Sequence, residues 1–287
     1  GLLITWLLRP IPAIAEGLAR IGRGDLDSPM EIKDPTELGV LARSINDMAA
    51  QLKSSQSQIH DRELEIVATQ KEIIHTLGDV VESRSSETAN HTRRVAAMSM
   101  KLAELAGVPT KEANLLRMAS PMHDVGKIGI PDSILNKPGK LTTEEFEIMK
   151  THAEIGYRIL AKSERMILKA AAIIAHEHHE RWDGKGYPQG LAGEDIHIFG
   201  RIVSLVDVFD AVYSDRVYRP AMKLDKVLEI IHNGRGVNFQ PKLVDLFLGN
   251  LDTFLAIHRQ FDDMDRYVKV LSPMETEMEP VEETVHS

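Results

Sequence analysis

The chain has 287 residues, a formal net charge of −9 and no cysteine. This length accommodates one sizeable hydrophobic core and a smaller unit. The negative charge argues against binding long nucleic acid through a basic surface, although a few local Arg or Lys side chains can still hold a small anion. Because cysteine is absent, disulfides and thiolate metal sites are excluded, and any metal must be bound by His, carboxylate and water.

The first eight residues are apolar and are followed by Arg9. They are too few to span a bilayer, which needs about 20 residues, and a secretory signal would carry its positive charge before the apolar run. Residues 1–9 are therefore either the buried start of a soluble helix or the end of a transmembrane helix, with Trp6 and Arg9 at the interface. We favour the transmembrane interpretation because of the sequence that follows.

Two short amphipathic helices come next, joined by a connector rich in Gly, Asp and Pro over residues 22–36. In both helices apolar residues recur at spacings of three and four. The two series are Ile11, Ile14, Leu18 and Ile21, and then Leu38, Leu41, Ile45, Met48 and Leu52. Together with the sequence TELG at 36–39 and NDM at 46–48, they make residues 10–54 resemble a HAMP signal-transducing domain. In that family two chains form a parallel four-helix bundle, and the alternative here is an unrelated helical hairpin.

The second helix is predicted to continue over residues 55–76 as a coiled-coil stalk. One heptad position is apolar throughout, at Ile45, Leu52, Ile59, Ile66, Ile73 and Val80. The partner positions are polar, so that the seam is weak, at Ser55, Arg62, Thr69 and Thr76. A weak seam suits a signalling element that shifts between two packings, and the alternative is a solvated helix lying on the next domain.

Residues 77–271 have the pattern of an all-α globular domain with ionisable residues on faces directed to its core. Glu87 and His91 share such a face, where an ionised Glu is costly unless a metal or an Arg pairs with it. His152 lies on the apolar stripe of a helix that a capping box of Thr142 and Glu145 starts. A single histidine on an apolar stripe is more often a core residue than a ligand, so that His152 becomes a ligand candidate only together with the other residues.

Further candidate ligands lie directly before two glycine-rich turns. The doublet His123-Asp124 runs into a turn that brings Lys127 close to whatever the doublet holds. The stretch AHEHHERWDGKGYP places His178 and His179 before a second turn. Imidazoles this close together suit transition metals such as Fe, Mn, Zn and Ni.

Residues 201–212 are predicted to form a helix that is apolar nearly all round and that contains Asp207 and Asp210. Such a helix is buried, and both carboxylates therefore need partners. Arg216 and Arg219 follow, and arginines at such a place form ion pairs or clamp phosphate through bidentate hydrogen bonds.

Eight imidazoles and carboxylates on core-facing or glycine-flanked positions are hard to explain by packing alone. They are Glu87, His91, His123, Asp124, His152, His178, His179 and Asp207. Such a set suits a site of two or three metals, which supplies a nucleophilic hydroxide at neutral pH and stabilises both oxygens of an in-line phosphoryl displacement.

Residues from about 77 to 260 resemble the HD-GYP domain, a subgroup of the HD metal-dependent phosphohydrolases. The matching motifs are His123-Asp124-Val-Gly-Lys127, His178-His179-Glu180, Asp183-Gly184-x-Gly186-Tyr187-Pro188 and Val206-Asp207-x-x-Asp210-Ala211. The resemblance implies an all-α fold and a di- or trinuclear iron or manganese centre. It also implies hydrolysis of cyclic di-GMP to pGpG or GMP, by in-line attack of a metal-bound hydroxide.

The resemblance assigns roles to individual residues. The eight candidates above match metal ligands, with Glu87 and His91 as the additional ligands of trinuclear members. Asp124 is expected to bridge two ions and to be catalytic together with Lys127, which contacts the scissile phosphate or the leaving oxygen. Arg216 and Arg219 match phosphate-binding positions, and Tyr187 lies in the loop that shapes the substrate pocket. His176 is expected to orient a ligand, and Asp183 and Asp210 are expected to be structural or to support ligands, rather than to bind metal.

The sequence therefore predicts a membrane-tethered cyclic di-GMP phosphodiesterase at the cytoplasmic face of the bacterial inner membrane. It is expected to form a homodimer through the HAMP domain and the stalk, and to end in a disordered acidic tail at residues 272–287.

Three alternatives remain. The first is an HD nucleotidase or (p)ppGpp hydrolase, against which the Gly186-Tyr187-Pro188 loop argues. The second is a phosphodiesterase that prefers cyclic GMP-AMP, which the sequence does not distinguish. The third is a catalytically idle module that binds the dinucleotide or a diguanylate cyclase partner, against which the complete set of ligands argues.

Overall fold

The computed structural model describes residues 10–32, 35–84, 89–214 and 221–271. These residues contain no β-strand beyond one isolated bridge between Arg235 and Phe239, which confirms the all-α prediction. None of the described helices is both long and apolar enough to cross a membrane. The predicted end of a transmembrane helix (residues 1–9) and the predicted tail (residues 272–287) lie outside the described ranges.

The chain divides into two compact units, residues 1–70 and residues 71–287. The described helices are α1 (Ile11–Gly22), α2 (Glu37–Arg84), α3 (Ala89–Ala106), α4 (Thr110–Ala119), α5 (Asp132–Leu135), α6 (Thr143–Leu160), α7 (Met166–Glu177), α8 (Ile198–Tyr213), α9 (Leu224–Asn233), α10 (Pro241–Gly249) and α11 (Leu251–Leu271). Short 3₁₀ helices lie at Ser120–Met122, Val125–Gly129 and Gly193–Asp195.

The first unit has a small apolar core formed by Ile14, Met30 and Ile45. The Asn46 side chain ties the connector to α2, because its Oδ1 accepts a hydrogen bond from the Met30 N–H at 2.8 Å and its Nδ2 donates to the Met30 carbonyl at 3.0 Å. Gly17 on α1 lets Met30 approach, since a Cβ atom there would lie 2.1 Å from the Met30 sulfur. The connector is therefore fixed to both helices that it joins.

Helix α2 runs without a break through the predicted boundaries at residues 54–55 and 76–77. Of the six apolar heptad positions, only Ile45 is buried. The other five are between 45% and 58% exposed, namely Leu52, Ile59, Ile66, Ile73 and Val80. The predicted stalk is thus helical, and it presents an uncovered apolar stripe in the single chain.

The core of the second unit is built around α8, which is buried on nearly all sides as predicted. Phe209 of α8 packs edge-on against Phe247, which in turn stacks on Phe254. Helix α3 packs against α4, α8 and α11, and α6 packs against α7 and the Val125–Gly129 turn. These contacts bring α3, α6, α7 and α8 around one buried volume.

Helix α6 is fixed at its N-terminus by a capping box and along its length by the close packing of Gly126. The predicted capping box is confirmed, with the Thr142 side chain accepting a hydrogen bond from the Glu145 N–H and the Glu145 carboxylate accepting one from the Thr142 N–H. Gly126 packs directly on the α6 backbone, since a Cβ atom there would lie 1.9 Å from the His152 carbonyl oxygen and 2.5 Å from the Gly156 nitrogen.

We therefore expect Gly126→Ala to destabilise the second unit by about 1–3 kcal/mol, because the added methyl meets backbone that cannot yield. Gly129→Ala is the matched control in the same turn, because its Cβ would meet only the flexible Ile155 side chain at 2.9 Å. Urea unfolding at neutral pH measures both changes. Equal stability of the two variants would contradict this account of the turn.

Candidate metal centre

Five segments of the second unit contribute side chains to one buried cluster. His91 comes from α3, His152 from α6 and Asp207 from α8. His123 and Asp124 lie between the two 3₁₀ helices that follow α4, and His178 and His179 directly follow the last residue of α7. Apart from the half-buried His179 and Asp207, these side chains are buried.

The cluster consists of two adjacent groups of possible metal ligands. One contains Asp124, His152, His178 and His179, and the other contains His91, His123 and Asp207. Within each group, one ligand atom of every residue lies within 4.8 Å of the others. The fold thus brings together seven of the eight predicted ligands, and the eighth, Glu87, lies outside the described residues.

The rings of three histidines are oriented by hydrogen bonds from Nδ1 to backbone carbonyl oxygens. His123 bonds to Ser120 at 2.9 Å, His152 to Met149 at 2.7 Å and His178 to Ile174 at 3.0 Å. Because a carbonyl oxygen only accepts hydrogen bonds, Nδ1 must carry the proton in each ring. In the neutral ring Nε2 is then left with an unshared electron pair, which is the state of a metal-binding imidazole.

The Nε2 atoms of these three rings are buried and make no hydrogen bond within the described part of the chain. The same holds for Oδ1 of Asp124. Burying a polar atom without a partner costs roughly 1–3 kcal/mol, and four such atoms facing one volume would be costly. A bound cation removes that cost, and the donor set of imidazole nitrogens and carboxylate oxygens fits a divalent transition metal.

Asp124 lies between the two groups. Its Oδ1 is 3.2 Å from Nε2 of His152 and 3.6 Å from Nε2 of His178. Its Oδ2 is 3.3 Å from Nε2 of His123 and 2.6 Å from Nζ of Lys127. One carboxylate oxygen therefore faces each group, which is the arrangement that a bridging ligand requires.

Burial and charge act in opposite directions on the ionisable groups of the cluster. Burial alone would lower the pKa of His123, but the charges of Asp124 and Asp207 outweigh it and raise that pKa to about 9. Burial lowers the pKa of His178 and, together with the neighbouring imidazoles, that of His179. Without metal, His123 therefore holds a proton between the carboxylates, and metal binding must displace that proton.

His91 is oriented by a buried ion pair instead of a carbonyl. Its Nδ1 lies 2.7 Å from Oδ2 of Asp210, and Arg94 donates to both oxygens of the same carboxylate at 2.6 and 2.9 Å. Burial would raise the pKa of Asp210, but the hydrogen bonds from His91 and Arg94 lower it to about 2. The ring that Asp210 orients is therefore that of His91. Arg94, one helical turn after His91, is a second partner of Asp210 that the sequence analysis did not identify.

The glycine-rich loop after His179 is held by Glu180. The sequence placed Glu180 in a motif but predicted no separate role for it. The buried Glu180 carboxylate accepts hydrogen bonds from the N–H groups of Gln189, Gly190 and Leu191 at 2.7 to 3.1 Å. The loop folds back so that the Tyr187 ring stacks on His179, with 4.8 Å between ring centroids. Tyr187 therefore lies beside the cluster.

Three other predicted residues do not reach the cluster or cannot be located. His176 bonds through Nε2 to Glu154 at 2.9 Å and stacks on Tyr157, so that it supports no member of the cluster. Arg216 and Arg219 lie outside the described residues, and their predicted phosphate contacts stay predictions.

Two family models match the chain. Residues 75–243 match the HD domain family and residues 2–54 match the HAMP domain family. The two matches confirm both resemblances that the motifs indicated.

Several characterised proteins are similar to this chain. The 3′3′-cGAMP-specific phosphodiesterase 2 of Vibrio cholerae is 46% identical over 68% of the chain and 37% of its own length. A cyclic di-GMP phosphodiesterase of the same organism is 41% identical over 86% of the chain and 51% of its own length. A cyclic di-GMP phosphodiesterase of Thermotoga maritima is 44% identical over 68% of the chain and 53% of its own length. The chain thus spans about half the length of these relatives or less.

The fold is also found among solved structures. A cyclic GMP-AMP specific phosphodiesterase of V. cholerae superposes with a TM-score of 0.52 at 20% sequence identity, over 70% of this chain and 53% of that one. At this level of identity the likeness concerns the helical fold.

We expect Asp210→Asn to weaken Mn²⁺ binding by about 10- to 100-fold, because loss of the carboxylate frees the His91 ring to turn. Asp245→Asn is the matched control, since the exposed Asp245 carboxylate also accepts two hydrogen bonds from an arginine, Arg235, and Asp245 belongs to neither ligand group. Calorimetric titration of each metal-free protein gives the affinities. Equal Mn²⁺ affinities of Asp210→Asn and Asp245→Asn would refute the role of Asp210 in orienting His91.

Proposed function

The chain belongs to the HD domain family and carries a HAMP domain in its N-terminal part, and from this premise we propose that it is a metal-dependent phosphodiesterase acting on cyclic di-GMP. The observation that carries the proposal is the convergence of seven buried or half-buried ligand side chains around Asp124. Relatives named as cyclic di-GMP phosphodiesterases, from V. cholerae and T. maritima, support the choice of substrate.

A second substrate is supported by one specific finding. The relative that is 46% identical over 195 residues is named as specific for 3′3′-cGAMP. Cyclic GMP-AMP differs from cyclic di-GMP in one of its two bases, and the ligand cluster would treat the phosphodiester bonds of both in the same way. We place cyclic di-GMP first because a relative with that name matches 86% of the chain, against 68% for the relative named as specific for 3′3′-cGAMP.

The HD domain implies a divalent metal centre, and we propose that it holds two or three ions of iron or manganese. The ligands would be His91, His123, Asp124, His152, His178, His179 and Asp207, with Glu87 as a further ligand. Such ions act as Lewis acids on phosphoryl oxygens and lower the pKa of bound water. Imidazole and carboxylate donors without thiolate suit iron and manganese.

Lys127 is proposed to act on the substrate. Its Nζ lies 2.6 Å from Asp124 and its side chain is 12% exposed, which places the ammonium at the edge of the cluster. In that position Lys127 would donate a hydrogen bond to the scissile phosphate or to the leaving oxygen. Tyr187 would form one wall of the substrate pocket, and Arg216 and Arg219 would bind phosphate.

We also propose that two chains pair through the HAMP domain, residues 10–54, and a stalk, residues 55–76, ahead of a catalytic domain at residues 77–271. The uncovered apolar stripe of α2 supports this pairing, because a second copy of the helix would bury it. Residues 1–9 would end a transmembrane helix, so that the enzyme works at the cytoplasmic face of the bacterial inner membrane. A diguanylate cyclase would be a further partner.

We expect Asp124→Ala to abolish hydrolysis of cyclic di-GMP and to lower the bound metal, because both ligand groups lose their shared carboxylate. The helical circular dichroism should be retained, since the substitution removes no apolar packing. Asp252→Ala, which removes an exposed carboxylate on α11, is the control. Full activity of Asp124→Ala would refute the proposed centre.

Replacing Ile59 and Ile66 together by Lys should convert the dimer to a monomer, because each lysine would face the same lysine of the partner chain across the seam and repel it. Asp61→Lys introduces a positive charge on the same helix at the exposed heptad position c, which faces away from the seam, and serves as the control. Sedimentation equilibrium measures the mass. The stalk hypothesis would be wrong if the wild type were a monomer or if the double variant kept the mass of a dimer.

A further inference from the structure

A line of aromatic rings leads from the ligand cluster to the surface. The Tyr187 ring stacks on His179 at 4.8 Å and meets the edge of His152 at 6.3 Å. On its outer side, Phe146 of α6 meets Tyr187 edge-on, with 6.4 Å between centroids. Phe146 is 47% exposed and does not belong to the apolar core of the second unit. Core packing therefore does not explain an aromatic side chain at this position.

A cation accompanies the outermost rings. Nζ of Lys150, one helical turn after Phe146, lies 5.7 Å from the centroids of both Phe146 and Tyr187. The Lys150 side chain is 27% exposed and also pairs with Glu147 at 2.7 Å. That pair uses one of the three N–H donors of the ammonium, so that the others remain available to a ligand.

We infer that Phe146, Lys150 and Tyr187 form an outer subsite that binds a purine base of the substrate, with guanine preferred to adenine. The inference rests on the proposed function, because the cyclic dinucleotide is what brings a base next to the scissile phosphate. With the phosphate at the metal ligands, the base would extend past Tyr187 towards the exposed face of Phe146.

Stacking on an exposed aromatic ring is a general way to bind a nucleobase, and it contributes roughly 1–3 kcal/mol per base. Such stacking also removes the exposed Phe146 face from water. The ring does not distinguish one base from another, because every base has a π face.

Lys150 would supply the distinction between purines. Guanine presents two acceptors, O6 and N7, along one edge, whereas adenine presents N7 beside an N6 amino donor. An ammonium only donates hydrogen bonds, so that it matches the guanine edge and meets the adenine amino group unfavourably. The subsite would accordingly accept cyclic di-GMP and the guanine of cyclic GMP-AMP, and disfavour cyclic di-AMP.

The first test compares two phosphodiesters in the Mn²⁺-loaded full chain. Phe146→Ala should lower kcat/KM for cyclic di-GMP by about 10-fold relative to its effect on methyl p-nitrophenyl phosphate, which carries no nucleobase. Phe146→Trp should restore activity on cyclic di-GMP, because Trp offers a larger stacking face. Ile159→Ala, at a comparably exposed position on the same helix (44%), is the control and should change neither activity.

The second test concerns base preference. Lys150→Met should lower the ratio of kcat/KM for cyclic di-GMP over cyclic di-AMP by about 10-fold, and Lys150→Arg should retain that ratio. An equal loss of both activities in Phe146→Ala, or an unaltered base preference in Lys150→Met, would overturn the subsite while the wild type remains an active phosphodiesterase. A wild-type protein that cleaves no cyclic dinucleotide would instead overturn the proposed function and the subsite with it.

Discussion

Hydrogen bonds from Nδ1 atoms to fixed acceptors determine the direction of the histidine rings, and the candidate centre depends on them. The carbonyls of Ser120, Met149 and Ile174 each accept such a bond. Each acceptor lies three or four residues before its histidine, so that the ring orientation follows from the helical backbone itself. The Nε2 atoms must then face inwards, where burial without a partner is unfavourable. This set of buried nitrogens makes the cluster a candidate for cations instead of an ordinary polar core.

The surrounding helices and loops hold the ligand side chains in place, both through direct contacts and through packing further from the cluster. Helix α8 is buried on nearly all sides and carries Asp207 into the cluster, while Asp210, one turn later, orients His91 from α3. Gly126 allows the turn with Lys127 to approach α6, and Glu180 folds the next loop so that Tyr187 covers His179. Chemistry at the centre therefore depends on packing in the hydrophobic core of the second unit.

Sequence patterns predicted the helical class, and the motifs with their family resemblance indicated the predicted ligands, seven of which the structure brings together. Motif spacing and helical periodicity report which residues of one segment share a face. They could not predict contacts between distant segments. The pairing of Arg94 with Asp210 spans 116 residues, and the loop amides held by Glu180 are backbone groups that have no sequence signature. Phe146 and Lys150 look like ordinary surface residues of an amphipathic helix until Tyr187 is located beside them. The partner of His176 could not be predicted for the same reason, since Glu154 lies on α6.

Anomalous X-ray diffraction from crystals of the Mn²⁺-loaded protein shows directly whether the cluster binds metal. We expect manganese peaks within bonding distance of Nε2 of His123, His152 and His178, with Asp124 contacting more than one ion. The Lys127 ammonium should then have moved away from Asp124 towards solvent or ligand. Manganese found only elsewhere in the crystal, with the Asp124–Lys127 ion pair intact, would show that the cluster is not a metal centre.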